Sequence, residues 1–183
     1  MKKEQVDTSG LILDKEYFTT LAFVDVKENG ERTFSFARKP GADTEIRKEE
    51  IDIDVLDRTN IFHVGSLSLT AQPVRDTTLY AVKRARNKGS LISYDPNYRA
   101  SLWPDEETAK RQMRSLIPYV DLMKISDEET ELLTGEKDAE KAAEALYCQG
   151  VKVVAVTMGG DGVAVHKTGF EKQILWQLPD KGC

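Results

Sequence analysis

From residue 61 onward, short apolar runs alternate with amphipathic helical stretches, and this alternation restricts the fold more than any other feature of the chain. Residues 61–67, 91–95, 122–125 and the valine-rich 151–157 read as strands. Residues 73–87, 104–119, 127–134 and 139–149 read as the helices between them. Asn87-Lys88-Gly89, Gly135 and Gly150 stand where three of these helices should stop. Strand–helix repeats of this kind build an α/β fold with a mostly parallel sheet and right-handed crossovers. Residues 163–166 add one further strand that pairs with a neighbour. Ligands in such sheets sit beyond the carboxyl ends of the strands. Four places therefore matter most: Gly65-Ser66, Asp95-Pro96-Asn97, Ser126 to Glu129, and Thr157 to Gly162.

The segment before residue 40 breaks the alternation. Residues 21–26 and 32–37 flank Asn29-Gly30, a dipeptide that tolerates positive φ in a tight turn. They predict an antiparallel hairpin standing apart from the main sheet, with Phe23, Phe34 or Phe36 as an exposed apolar patch. The chain has 183 residues, 40% hydrophobic and 31% charged, a balance that suits a folded domain with a real core. A net charge of −5 argues against nucleic-acid or anionic-membrane partners. No stretch approaches the ~18 apolar residues needed to span a bilayer. Cys148 and Cys183 have no metal-ligand spacing, so a reduced, cytoplasmic setting is expected.

Three constellations carry chemistry. Asp95-Pro96-Asn97-Tyr98-Arg99 places an acid, an amide and a guanidinium within five residues of a strand end, and Pro96 stops the strand from continuing. Aspartate suits sugar hydroxyls and arginine suits phosphate, although a polar loop with a local Asp–Arg pair fits equally well. Thr157-Met158-Gly159-Gly160-Asp161-Gly162 lets backbone approach a nucleotide, or simply turns between two strands. Ser126 and Glu129 stand at capping-box spacing, and Glu129 could instead order a water on Mg²⁺. His63, alone in an apolar run, reads as a satisfied core residue, and His166 has no visible partner.

Taken in order, these loops resemble the ribokinase/PfkB carbohydrate kinases, and the Asp95-Pro96-Asn97-Tyr98-Arg99 segment followed by Leu102-Trp103 is similar to the fructokinase form of a family motif. Ser126-Asp127-Glu128-Glu129 takes the place of an Asn-x-x-Glu motif, and Thr157 to Gly162 resembles the nucleotide turn. The resemblance implies a ribokinase-like α/β/α sandwich with a β-hairpin lid. It divides the chain into a lid and lead-in (1–40), a partial core (41–170) and an unaligned tail (171–183). It implies ATP-dependent phosphorylation of a sugar hydroxyl, with ATP and Mg²⁺ as cofactors. Asp95 and Arg99 then bind substrate. Asn97, Thr157, Gly159 and Gly162 bind nucleotide and phosphate, and Glu129 holds the metal through water. The Gly-Ala-Gly-Asp segment that carries the family's catalytic aspartate is absent from the 183 residues, as is its Gly-Gly sugar-binding segment. The resemblance therefore leads to the expectation of a chain shortened at both ends and inactive alone. A non-catalytic binding remnant, or a module that forms a homodimer through the lid, is the competing reading, and the sugar, fructose or a similar one, stays open.

Overall fold

The computed structural model describes residues 2–28, 32–167 and 173–175. Strands β1 (Leu21–Val26) and β2 (Arg32–Ala37) pair antiparallel as a two-stranded sheet of their own. The Asn29-Gly30 turn expected between them lies outside the described residues. Helix α1 (Ile53–Asp57), too short to leave a periodic signature, is capped by Asp52, whose side chain accepts from Val55 N at 3.0 Å. It leads into β3 (Ile61–Gly65). There follow α2 (Val74–Asn87), β4 (Leu91–Asp95), α3 (Glu106–Arg114), β5 (Leu122–Ser126), α4 (Asp127–Thr134), α5 (Ala139–Cys148), β6 (Val153–Thr157), β7 (Val163–Lys167) and β8 (Gln173–Leu175).

Strands β3 to β8 form one six-stranded sheet in chain order. β3 to β6 run parallel, and β7 and β8 are antiparallel additions at one edge. Because each parallel crossover is right-handed and steps in the same direction, its helix falls on the same side of the sheet. That side is the core. Ile92, Tyr94, Met123, Ile125, Val154 and Val156 alternate along β4, β5 and β6 and are fully buried against the helices. The residues between them point to the other face. There Ile61, Leu91 and Leu122, at the amino ends of their strands, are 62%, 48% and 44% exposed.

Local chemistry sets the element ends. Glu129 and Ser126 close a capping box at the start of α4, and Gly135 ends that helix with φ 85°. Helix α3 stops at Arg114, five residues before the expected end. Pro118 has no N–H to continue the helix and disfavours helical backbone at Ile117, so residues Ile117–Tyr119 form a 3₁₀ turn. Arg114 then caps a different helix, donating to the Leu133 carbonyl at 2.8 Å and the Leu132 carbonyl at 3.1 Å. Buried Asp121 fastens β4: its carboxylate accepts from Ile92 N at 2.9 Å and pairs with Lys152 at 2.8 Å.

The hairpin register puts Val24 opposite Phe34 and Ala22 opposite Phe36 on one face, with Leu21 and Phe23 on the other. Phe23 thus lies on the opposite face from Phe34 and Phe36. Phe23 is exposed, while Phe34 and Phe36 stack on each other and are half-buried.

Candidate active site at the carboxyl edge

Parallel β3, β4, β5 and β6 end on the same edge of the sheet, and the loops leaving them meet there. The β3 and β4 loops are fastened to each other. Ser66 is fully buried, its N donates to the Pro96 carbonyl at 3.2 Å, and its Oγ donates to the same carbonyl. Beside this joint lies a pocket of about 360 Å³ whose wall includes Asp43, His63, Gly65, Ser66, Asp95 and Asn97. Asp95 reaches it from the last position of β4. Its Oδ2 lies 3.3 Å from Lys124 Nζ on the adjacent strand, and its Oδ1 is buried with no hydrogen-bond partner among the described residues. A buried carboxylate oxygen without a donor is costly unless a ligand supplies one. Asn97 is exposed and left-handed, φ 48°, a conformation that asparagine tolerates better than most residues.

Glu129 stands behind this loop, 5% exposed. Its Oε1 accepts from Tyr98 N at 2.5 Å and its Oε2 from Ser126 N at 2.9 Å. One carboxylate therefore joins the Asp95–Arg99 loop to the start of α4, and it fixes the peptide that follows left-handed Asn97. Each oxygen keeps a further lone pair, so the group can still accept from a water. On the helix side of β4, Tyr94 is fully buried: burial pushes its phenol pKa up, the charges of Glu129 and Asp95 add to the shift, and the hydroxyl donates to the Met113 carbonyl at 3.4 Å.

Arg99 does not line the pocket. Its Nη1 donates to the Tyr98 carbonyl at 2.8 Å, and its guanidinium carbon lies 5.0 Å from the Phe34 ring centroid on the hairpin. Thr157, Gly159 and Gly162 occupy the β6–β7 turn on the same edge, two strand spacings or roughly 10 Å from β4. Gly159 and Gly162 have φ of 55° and 101°, a backbone conformation that favours glycine. Met158 N donates to the Gly162 carbonyl at 2.9 Å and closes the turn.

Two participants were not visible in sequence. His63 is exposed in the pocket wall, its Nδ1 3.1 Å from Ser93 Oγ, and is not the core residue its apolar neighbours suggested. On an edge strand with one face open, a residue in an apolar run can still point to solvent. Asp43 takes Thr20 Oγ1 as donor on one oxygen and Arg38 Nε at 2.7 Å on the other. Thr20 precedes β1 and Arg38 follows β2, so Asp43 clamps the stem of the hairpin. Arg38 continues the anchor to Thr70 Oγ1 at 2.7 Å and the Leu67 carbonyl at 2.8 Å. Contacts spanning five to 32 residues leave no local motif to read.

A family model described as pfkB family carbohydrate kinase matches residues 1–176. Probable fructokinase-2 of Arabidopsis thaliana is 37% identical over 175 residues, which are 95% of this chain and 53% of that protein. Fructokinase-2 of Oryza sativa subsp. japonica is 38% identical over 175 residues, 95% of this chain and 52% of the relative. A crystal structure of fructokinase from Vibrio cholerae O395 in fructose, ADP and calcium ion bound form matches with TM-score 0.85 at 31% identity, over 96% of this chain and 56% of that one. Fructokinase with bound ATP from Xylella fastidiosa matches with TM-score 0.77 at 29% identity, over 90% of this chain and 53% of that one. The chain spans about half the length of the relatives it matches. The mixed sheet, its helices and the small hairpin sheet are those of the ribokinase-like α/β fold.

Proposed function

Because this chain belongs to the pfkB family of carbohydrate kinases, we propose that it forms the sugar- and nucleotide-binding part of an ATP-dependent, fructokinase-like sugar kinase. The observation that carries the reading is Asp95, whose Oδ1 is buried and without a donor in the wall of a pocket at the carboxyl edge of a parallel sheet. A sugar hydroxyl supplies the missing donor. Asn97 and Arg99, on the same loop, face the phosphoryl group as it passes to the sugar. Thr157, Gly159 and Gly162 receive the nucleotide. Glu129 holds the loop in place and orders a water toward the phosphates. Mg²⁺, when bound, neutralises charge on the phosphate oxygens.

The polypeptide of these 183 residues binds without turning over. It contains no Gly-Ala-Gly-Asp segment. In phosphoryl transfer of this kind, loss of the general base alone reduces rate by about 10²–10⁴, and loss of the anion-binding helix N-terminus adds to that. Asp161 is exposed inside the β6–β7 turn and is no substitute for that base.

The test is calorimetric binding of fructose and a panel of other sugars, with ADP release measured in parallel. Fructose binding that Asp95→Asn weakens about ten- to a hundredfold, the range for a hydrogen bond to a charged group, supports the reading. Wild-type chain that binds no sugar refutes it. Turnover near the ~1–100 s⁻¹ typical of kinases refutes the non-catalytic half of the proposal.

A further inference from the structure

An aromatic ring of the hairpin reaches the Asp95–Arg99 loop. Phe34 lies 5.0 Å from the Arg99 guanidinium carbon. Behind it, the Phe36 ring is stacked at 6.3 Å with an interplanar angle of 13°. The base of the hairpin is held by the Asp43–Arg38–Thr70 anchor, so the Phe34 contact is a second, distal attachment. Arg99 has no carboxylate partner among the described residues, and its Nη1 is satisfied by the Tyr98 carbonyl. A guanidinium carries five N–H donors in one plane. A ring against its face and one carbonyl at its edge leave the other edge donors for a bidentate oxyanion. The backbone on which Arg99 stands is fixed independently, by Tyr98 N on Glu129.

We infer that Phe34 is a positioning residue, holding the Arg99 guanidinium ready for a phosphate oxyanion, so that the hairpin contributes to oxyanion affinity. The inference rests on the assignment of Arg99 to phosphate in the kinase reading above. It adds that hairpin residue Phe34, which reaches the phosphate only through Arg99, sets its affinity. Cation–π attraction requires the aromatic face, and apolar packing alone does not. Tyrosine therefore replaces Phe34, and leucine of similar bulk does not.

The experiment uses the whole 183-residue chain, ¹⁵N-labelled, as wild type, Phe34→Leu and Phe34→Tyr. Inorganic phosphate is titrated at low ionic strength while the Arg99 Nε–H resonance is followed, and amide exchange of residues 21–26 is measured in the same samples. In wild type, phosphate moves the Arg99 resonance. Phe34→Leu weakens that response about two- to fivefold, the range an exposed cation–π contact supports, and speeds exchange in the hairpin. Phe34→Tyr restores both. Phosphate affinity equal to wild type in Phe34→Leu overturns the inference, even if hairpin exchange rises, because the ring then serves packing alone. Failure of Phe34→Tyr to restore affinity overturns it as well. An Arg99 resonance unmoved by phosphate in wild type refutes the underlying assignment of Arg99, and the inference with it, a result separate from any seen only in the variants.

Discussion

Glu129 offers the sharpest test of how the site is held. Replacing it with glutamine keeps the size of the side chain but leaves one acceptor oxygen for two backbone donors. Either Tyr98 N or Ser126 N then faces an amide NH₂ and goes without a partner. Leaving a buried donor unsatisfied costs about 1–3 kcal/mol, and Glu129 is 5% exposed, so water does not readily replace it. Against a total stability of about 5–15 kcal/mol, this is a large fraction. With a urea m-value of about 2 kcal/mol/M, the unfolding midpoint of Glu129→Gln should fall by roughly 0.5–1.5 M. Glu129→Ala strands both donors and should cost about twice as much. The assay is urea unfolding followed by circular dichroism, with and without MgCl₂. The brace operates in the absence of metal, so the deficit should be the same in both series. A shift below about 0.2 M in metal-free buffer would mean that neither amide depends on the carboxylate, and the structural role assigned to Glu129 would fail.

Three further outcomes follow from the structure. Asn97→Ala should destabilise by up to about 1–2 kcal/mol, because alanine lacks the short polar side chain that lets asparagine tolerate φ 48°, and Asn97→Gly, which has no β-carbon to strain, should be neutral or better in the same assay; equal effects would show that the left-handed backbone is not what selects the residue. Burial alone raises the Asp121 pKa, but hydrogen bonds from Lys152 and the Ile92 amide and the charges of Lys152 and Arg86 outweigh it and hold the carboxyl below its usual value. A lowered folded pKa gives stability that is present above the unfolded pKa and lost as pH falls through the folded one. The stability gap between wild type and Asp121→Asn should therefore be flat from about pH 5 to 8 and narrow below about pH 4; a gap that widens on acidification contradicts the sign. Ile61 and Leu91 are paired, and Leu122 lies diagonally across from them, as exposed apolar residues on the open face of the sheet. Leu122→Lys should lower binding of a hydrophobic dye and raise solubility without loss of stability; unchanged dye binding would show that this face is not the adhesive surface.

Much of the fold is legible in sequence because its signals are local. α2 and α4 follow from apolar spacing and from stop signals such as Lys88-Gly89 and Gly135, and β4 from an apolar run closed by Asp95-Pro96. Parallel pairing follows from the alternation itself, and with it the rule that Asp95, Ser126 and Thr157 end on a common edge. Spacing alone carries helix α3 past its true end because apolar residues continue through Leu116 and Ile117, while the competing proline acts one residue later. What composition and spacing could not supply is side-chain direction and long-range pairing. His63 points to the pocket because it neighbours Ser93 in the sheet. Asp43 matters because folding brings Thr20 and Arg38 to it. Glu129 announced itself as a helix cap, and that half of its role is local; its bond to Tyr98, 31 residues away, exists only once β4 and β5 lie side by side. Short-range hydrogen bonds and periodicity are written in adjacent residues, whereas the groups that shape this pocket become neighbours only when the sheet has formed.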